Sequence, residues 1–582
     1  MSQPEIVAEL EPLFHPRSVA VIGATNNLTK WGFSTFYSLI RHFQGDLFAV
    51  NNRDTEILGY PAYAKVTDIP GMVDLVVIVI PPDKVAEVME DCIEKEVKAA
   101  VIITAGFAEV GAHGRALQDE VVEVARRGGL RLVGPNCMGM WSAAANLTAF
   151  MFPLPIKKGP LALISQGGNV GGALVADAFS RGIGFRYYVS CGCTADIQIE
   201  DYIEYMGYDD SVRVIMVYIE GLTDGQRFVE KVKPVTLKKP VIALKPGKTD
   251  AAARAIISHS GSLSGSTMIY EAAFKKAGVI RTETTMELLD VAVALLTQPL
   301  PRGRNVVITT PGGSYGVMCA DACASLGLNV IDLPPEAMEK FNTMFPDRWS
   351  HGNPVDPAGD RDLIQYLKAP EVLLRCPEVD ALIFMGFGSF SGISAMLSSA
   401  SGLISQRLEN LKEHMAGFEE TARTYTEMLD SGDHSQIKEI IRTGLGMIFG
   451  SVMATNANSI VEFLEMVSEA LTSEKMKGSS FFEGLKKLFK SVIDGDLDGT
   501  KMADIMELMT PMLDAVIIHW TQKYGKPVIT TTFSEGISRI GEGGHFPYSN
   551  AERASNVLAK LVEYSEYLGI MKKGEGSLES RG

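Results

Sequence analysis

His259 is the residue whose type and surroundings point most directly to chemistry. It lies in a run of small residues from Ser258 to Gly265. An imidazole on such a loop can move, and its free base can attack phosphorus at neutral pH. Glu220, just before Gly221, could accept a hydrogen bond from one imidazole nitrogen and leave the other free to attack. Taken singly, a loop histidine more often has a surface or capping role, and such a glutamate is more often a turn residue.

Two glycine-rich segments repeat one local design, a predicted strand followed by a glycine turn and a helix. Residues 161–171 and 306–316 match, with Gly167 and Gly168 in the first and Gly312 and Gly313 in the second. The backbone amides at a helix start have no internal partner, and the helix dipole is positive there, so a phosphoryl group is attracted. One glycine turn alone is often a packing device. The pair favours two helix ends that clamp one phosphate.

An earlier glycine turn, at Gly23, also follows a predicted strand and precedes a helix, which suits a nucleotide pyrophosphate. A nicotinamide site would require the full G-x-G-x-x-G and an acidic residue near the end of the second strand. Here the second strand ends in Asn51, Asn52 and Arg53. A cation at that place suits a ribose phosphate, as in coenzyme A or NADP, although a solvated surface arginine is an equal alternative.

Alternating apolar runs and amphipathic segments predict the α/β elements that position these residues. In the first part of the chain the strands are expected at 18–23, 47–51, 75–80, 100–104 and 130–133. This alternation predicts a parallel sheet with helices on both faces. Ligands of open α/β sheets bind beyond the carboxyl ends of the strands, so the candidate residues should lie together.

Breaks along the chain divide it into three domains. A proline-rich stretch after Phe152 and another break at 299–304 give domains at 1–152, 153–300 and 301–582. Strands are expected at 161–165, 212–219 and 240–245 in the second domain, and at 305–310 and 381–387 in the third. Residues 389–510 have helical spacing and few prolines, and sheet-like sequence resumes at 526–532. The third domain is therefore predicted to carry a helical insertion.

Composition excludes several classes of protein. Lys and Arg total 54 against 70 Asp and Glu, a net charge of -16 with no basic tract, which argues against a nucleic-acid partner. The apolar runs are far shorter than a membrane span, and the amino terminus lacks a signal-peptide core, so a cytoplasmic protein without membrane association is expected. The seven cysteines form no disulfide framework, and their close pairs lack the second ligand pair of a zinc site. No metal site is predicted.

Taken in order, the motifs resemble the NDP-forming acyl-CoA synthetase superfamily. The resemblance is to the α subunit of ADP-forming acetate-CoA ligases, and more distantly to that of succinyl-CoA synthetase. It covers residues 13–387 continuously and resumes near 543–561. The motifs that carry it include Gly134-Pro-Asn-Cys137, Ser165-Gln-Gly-Gly168, Tyr218-Ile-Glu-Gly221, Ser258-His-Ser-Gly261 and Gly352-Asn-Pro-Val-Asp356.

The resemblance implies a Rossmann-like CoA-binding domain followed by two flavodoxin-like domains, and it implies roles for individual residues. His259 would be the phosphorylated histidine and Glu220 the carboxylate that orients it. The phosphate-binding helix ends would be formed by Ser165, Gln166, Gly167 and Gly168, and by Gly312 and Gly313. The coenzyme A contacts would be Gly23, Ala24, Thr25, Asn26, Arg53, Pro81, Thr104 and Asn136. Arg53 stands where the family more often has lysine, and the insertion at 389–510 is outside the family pattern.

The implied reaction interconverts acyl-CoA, ADP and phosphate with the free acid, coenzyme A and ATP, through an acyl phosphate and phosphohistidine. No stretch of the chain matches the ATP-grasp domain of relatives. The resemblance therefore implies a separate ATP-grasp β subunit, which would bring ADP or ATP with Mg, in an oligomer. The acyl group cannot be identified from the sequence. The alternative is a non-catalytic CoA-binding regulatory module, and a nicotinamide dehydrogenase is disfavoured by the first glycine turn and by Asn51.

Overall fold

A computed structural model describes residues 5–249, 251–252, 267–359, 363–386, 419–430, 439–441, 457–471, 480–494, 501–532 and 544–569. The chain divides into two units, Met1–Ala292 and Val293–Gly582. The first unit contains two seven-stranded sheets and the second contains one sheet of five strands. No helix in the described ranges is long and apolar enough to cross a membrane.

The first sheet is built from the alternating strands and helices predicted for the start of the chain. Its order is β3-β4-β2-β1-β5-β6-β7, parallel except for the β3–β4 pair. With β3 set aside, this is the 3-2-1-4-5-6 order of a Rossmann fold. The strands are β1 Ser18–Ile22, β2 Asp46–Val50, β3 Glu56–Ile57, β4 Tyr60–Tyr63, β5 Leu75–Ile78, β6 Ala99–Ile102 and β7 Arg131–Val133, and the helices are α1 Glu5–Phe14, α2 Trp31–His42, α3 Val85–Glu94 and α4 Ala112–Arg127.

The second sheet has the order β14-β13-β12-β10-β11-β8-β9. Its five parallel strands follow the 2-1-3-4-5 order of flavodoxin-like folds. The strands are β8 Gly139–Ser142, β9 Leu147–Phe150, β10 Lys158–Ser165, β11 Phe185–Ser190, β12 Val214–Tyr218, β13 Val241–Leu244 and β14 Ile280–Thr282, and the helices are α5 Gly168–Ser180, α6 Ile199–Tyr208, α7 Gly225–Thr236, α8 Thr267–Ala277 and α9 Thr285–Thr297.

The hairpin β8–β9 differs from the expected domain division. It lies before residue 152, yet β8 pairs antiparallel with β11 at the edge of the second sheet. The change of sheet therefore occurs between β7 and β8, before the proline-rich stretch that suggested the boundary. Pro153 and Pro155 lie on the connection from β9 to β10, where a residue without an amide donor costs the sheet nothing. Pro160 lies near the start of β10, where the strand register is irregular.

Burial explains why the parallel strands are continuous apolar runs. Every residue of β1, β5 and β6 is buried, as expected for strands covered on both faces. One apolar core joins the two sheets of the first unit, and α1 contributes to it through Phe14. The Phe14 ring stacks on Tyr205 with centroids 4.4 Å apart and meets the edge of Tyr187 at 4.9 Å.

Asp209 holds β11 against the end of α6. Its carboxylate accepts hydrogen bonds from Arg186 Nε at 2.9 Å, from the Tyr187 hydroxyl at 2.5 Å and from the Ser211 amide at 2.8 Å. Burial alone would raise the pKa of Asp209, but these donors outweigh it and lower the pKa to about 2. The folded protein therefore favours the charged form of this carboxyl group.

The third sheet is wholly parallel, with the order β16-β15-β17-β18-β19. It repeats the 2-1-3-4-5 order, so the chain has two flavodoxin-like sheets, as the resemblance implied. Its strands are β15 Asn305–Thr309, β16 Asn329–Val330, β17 Ala381–Phe384, β18 Val528–Thr531 and β19 Pro547–Tyr548, and the helices around it are α10 Gly313–Ser325, α11 Pro335–Met344, α12 Leu363–Arg375 and α17 Ala551–Tyr567.

Most of the described residues in the long segment between β17 and β18 are helical. Its helices are α13 Glu419–Asp430, α14 Ala457–Leu471, α15 Ser480–Ile493 and α16 Lys501–Tyr524. Because β17 and β18 are adjacent parallel strands, the chain must cross over between them, and the insertion enlarges that crossover. Apolar side chains of these helices, including Leu464, Phe489 and Trp520, are buried in the core of the second unit.

Candidate active site

A cleft of about 1780 Å³ in the first unit is lined by residues from the carboxyl ends of both of its sheets. The volume exceeds the roughly 300–1,000 Å³ of pockets for drug-sized ligands. In each sheet the cleft meets the point where strand order reverses, between β1 and β5 and between β10 and β12. Such switch points are where open α/β sheets bind ligands, so this cleft is the candidate site.

The glycine turn after β1 forms part of the first-sheet side. Gly23 has a φ of +97°, and a Cβ atom there would overlap the carbonyl oxygen of Val79. The amide of Asn51 donates to the carbonyl of Ala24 at 2.7 Å, and its oxygen accepts from the backbone N–H of Arg53 at 2.7 Å. Asn51 therefore links the first turn to the end of β2, which explains why this position holds an amide rather than the acidic residue of a nicotinamide site.

Most of the residues predicted to contact coenzyme A line this cleft. They are Gly23, Thr25, Arg53, Pro81, Thr104 and Asn136. Ala24 is buried beneath the turn. The side chain of Asn26 is engaged with the β3–β4 hairpin, donating to the Glu56 carbonyl at 3.0 Å and accepting from the Leu58 amide at 3.0 Å. Neither of these two residues lines the cleft, and a contact of any of the eight with coenzyme A stays a prediction.

Basic side chains give this end of the cleft an anion-binding character. Lys65 and Lys84 line it but are paired with Asp91 at 3.2 Å and Glu87 at 3.6 Å. Arg53 is exposed and forms no ion pair with any other residue that the structure describes. A guanidinium that is open to the cleft suits a ribose phosphate, with which it can form two parallel hydrogen bonds. The residues on this side therefore fit the phosphorylated nucleotide half of coenzyme A.

The second-sheet side is the glycine turn between β10 and α5. Gln166, Gly167 and Gly168 line the cleft, whereas Ser165 is buried and its hydroxyl donates to the Gly167 carbonyl at 2.6 Å. Gly167 is the N-cap of α5 and supplies no side chain to cap it. The first amides of α5 therefore donate no hydrogen bond to an N-cap side chain, which suits this helix start to an anion.

Glu220 adjoins this helix start. It lies at the end of β12, lines the cleft and is only 5% exposed. Its Oε1 is 3.2 Å from the point that a Cβ atom on Gly167 would occupy. Burial, reinforced by the negative charge of Glu220, raises the pKa of the neighbouring Tyr218 hydroxyl to about 12. Both predicted features, the carboxylate and the helix start, are thus brought together at one place.

His259 lies within residues 253–266, outside the described residues, and its role stays a prediction. Gly312 and Gly313 belong to the second unit, where Gly312 is the N-cap of α10. There the Thr310 hydroxyl donates to the Gly312 carbonyl at 2.8 Å, the same bond that Ser165 forms with Gly167. The predicted repeat is therefore present down to a matching hydrogen bond. A Cβ atom on Gly313 would lie 3.1 Å from the carboxylate of Asp356, a neighbour that the sequence did not predict.

Sequence reasoning missed Cys193 and Lys245. Cys193 lines the cleft with its Sγ 3.7 Å from Glu109 Oε2, and burial together with that carboxylate raises its pKa to about 12. Lys245 follows β13, and its ammonium donates to the Pro246 carbonyl at 2.6 Å. Burial lowers the pKa of Lys245, and the charge of Glu220 opposes that shift. A lysine directly after an apolar strand was a usable signal, whereas the sequence held none for Cys193.

Three domain families match the chain in order. They are a CoA binding domain at residues 17–142, a succinyl-CoA ligase like flavodoxin domain at 158–295 and a Ligase-CoA domain at 305–412. Together with the two flavodoxin-like sheets and the cleft, these matches define a CoA-binding protein of the succinyl-CoA ligase type.

Named relatives narrow the class. The α subunit of ADP-forming acetate-CoA ligase II from Pyrococcus furiosus is 43% identical over 374 residues, which are 64% of this chain and 81% of that protein. The chain belongs to the family of ADP-forming acetate-CoA ligase α subunits. The ADP-forming 4-hydroxybutyrate-CoA ligase of Nitrosopumilus maritimus is 35% identical, covering 64% of this chain and 54% of that one.

A solved structure supports the same assignment. The dinucleotide-forming acetyl-coenzyme A synthetase 1 of Ca. Korarchaeum cryptofilum, in complex with phosphate and ADP, has a TM-score of 0.68 to this chain. It is 26% identical and covers 98% of this chain and 99% of that one. The relatives are ligases, which favours an enzyme over the regulatory module that the sequence left open.

Proposed function

We propose that the chain is the α-type subunit of an ADP-forming acid-CoA ligase. The observation that carries the proposal is that one cleft runs from the switch point of the first sheet to Glu220 and the start of α5 in the second sheet. A thioester held at the first side would have its acyl carbon near a helix start suited to phosphate. The acyl group is a small carboxylic acid, such as the acetate in the names of the relatives.

The proposed reaction has three transfers. A phosphate oxygen attacks the thioester carbonyl, the carbon–sulfur bond breaks, and coenzyme A leaves as the thiol. An imidazole nitrogen of His259 then attacks phosphorus, and the acid leaves as its carboxylate. ADP finally takes the phosphoryl group from His259 and becomes ATP. Glu220 would accept the N–H on the other imidazole nitrogen and stabilise its positive charge.

ADP would reach His259 on a separate chain with an ATP-grasp domain, which would also supply Mg. The naming of relatives as α subunits supports this arrangement. Isolation of the native complex should recover a second chain, and ADP should remove the phosphoryl group only when that chain is present. Removal of the label by ADP from this chain alone would contradict the proposed division.

The test of the reaction is incorporation of labelled phosphate in the presence of acetyl-CoA. The full-length chain should acquire a base-stable, acid-labile label, and His259→Ala should not. His113→Ala, at an exposed position on α4, is the matched control and should label normally. A wild-type chain that stays unlabelled, or a His259→Ala chain that labels fully, would refute the phosphohistidine.

A further inference from the structure

The turn that carries Glu220 is held by side chains from two other elements. Gln166, at the end of β10, accepts through Oε1 from the backbone N–H of Glu220 at 2.6 Å and of Gly221 at 2.9 Å. Its Nε2 donates to the Gly221 carbonyl at 3.0 Å. The side-chain amide is therefore engaged by protein at both ends. The phosphate contact of the helix end that includes Gln166 stays a prediction.

Tyr270 holds the same turn through a second contact. Its hydroxyl accepts from the backbone N–H of Leu222 at 3.0 Å, and its ring is buried. The ammonium of Lys245 lies 4.7 Å from the centre of that ring, within the range of a cation–π contact. Three consecutive backbone N–H groups, at residues 220–222, thus donate to two side chains, one directly after β10 and one from α8.

We propose that Gln166 and Tyr270 are positioning residues for Glu220. The inference rests on the proposed function, in which Glu220 orients the imidazole of His259. A carboxylate acts on an imidazole only within hydrogen-bond distance, and a displacement of about 1 Å can cost on the order of a hundredfold in rate. Hydrogen bonds to the backbone at residues 220–222 fix the root of the Glu220 side chain and so limit how far its carboxylate can move in the cleft.

Tyr270 also joins this turn to the helix that follows His259 in sequence. Helix α8 begins at Thr267, and Tyr270 lies in its first turn. Lys245 precedes the same segment and contacts the Tyr270 ring. These contacts therefore connect residues on both sides of the His259 segment to the turn that carries Glu220.

The experiment measures the rate of phosphohistidine formation from acetyl-CoA and labelled phosphate in the full-length chain. Gln166→Met keeps much of the side-chain volume without hydrogen-bonding groups, and Tyr270→Phe removes only the hydroxyl. Gln166→Met should lower the rate at least about tenfold, and Tyr270→Phe should lower it by about threefold or more. Affinity for coenzyme A, measured by calorimetry, should stay within about twofold of wild type, because the hydrogen bonds that the two variants remove are made to the turn at residues 220–222.

The double variant with Glu220→Gln separates positioning from general damage. If Gln166 acts through Glu220, adding Gln166→Met to Glu220→Gln should cause no further loss of rate. Tyr205→Phe, whose hydroxyl contacts Glu11 and His15, and Gln226→Ala on the surface of α7 are matched controls that should label at the wild-type rate.

Full labelling of Gln166→Met, or an independent loss in the double variant, would overturn the positioning role. If the wild-type chain is labelled and either of these outcomes is found, the positioning role fails and the proposed function stands. An unlabelled wild type would overturn both.

Discussion

Replacement of Gly23 by alanine tests whether the turn after β1 requires glycine for two separate reasons. The alanine backbone would have to keep a φ of +97°, and its Cβ would overlap the Val79 carbonyl oxygen. The backbone strain costs about 1–3 kcal/mol, and the overlap with rigid backbone costs about 1–3 kcal/mol more. Reduced freedom of the unfolded chain returns about 0.4–1 kcal/mol. We expect a loss of about 1–6 kcal/mol in the free energy of unfolding of the first unit.

Gly71→Ala is the matched control, because Gly71 has a φ of +83° with no atom within 4 Å of the added Cβ. It carries the strain without the overlap, so Gly23→Ala should be the more destabilised by about 1–3 kcal/mol. Hydrogen exchange of peptides from β1 and β5 in increasing urea measures the first unit separately. Losses that agree within about 0.5 kcal/mol would refute the overlap argument.

Three further results should follow. Iodoacetamide should modify Cys193 slowly at pH 8, because the raised pKa keeps the thiol protonated. Glu109→Gln should increase the rate several-fold, as measured by mass spectrometry of the Cys193 peptide, and an unchanged rate would contradict the effect of Glu109 on this pKa. Asp209→Asn should lower the free energy of unfolding of the first unit by about 1–2 kcal/mol at pH 7, measured in urea. This difference should shrink as the pH falls from about 4 towards 2, because a lowered pKa stabilises the fold only while the carboxyl group is charged. A difference that stays constant with pH would contradict the lowered pKa of Asp209. Ser165→Ala and Thr310→Val should each lower the free energy of unfolding of their own unit by about 1 kcal/mol, measured by hydrogen exchange. A loss in one unit alone would contradict the structural equivalence of the two turns.

The parallel strands were predictable because they are buried on both faces and read as apolar runs. The ends of β1, β5 and β6 agree with the predicted strands to within two residues. The edge strands β16 and β19 were not predicted, since each has two residues and no pattern of its own. The hairpin β8–β9 was missed because its strand pairing depends on β11, which lies far along the chain.

The candidate site was predictable as far as backbone geometry determines it. Glycines at strand ends and a polar residue at the end of β12 follow from the topology, and both line the cleft. The partner of each side chain did not follow. Asn26 binds a hairpin and Gln166 binds a turn, because long-range contacts, rather than spacing, decide which polar group satisfies an amide.

The short connection from β7 to β8 runs along the cleft and contributes Asn136, Cys137 and Met138 to its wall. Its ends belong to different sheets. The backbone N–H of Asn136 donates to the Thr104 carbonyl at 2.9 Å, and the backbone N–H of Cys193 donates to the Pro135 carbonyl at 3.0 Å. The length of this connection therefore sets the distance between the two halves of the cleft. A single inserted residue there would shift one half against the other, whereas the proline stretch before β10 should accept extra length without altering the spacing.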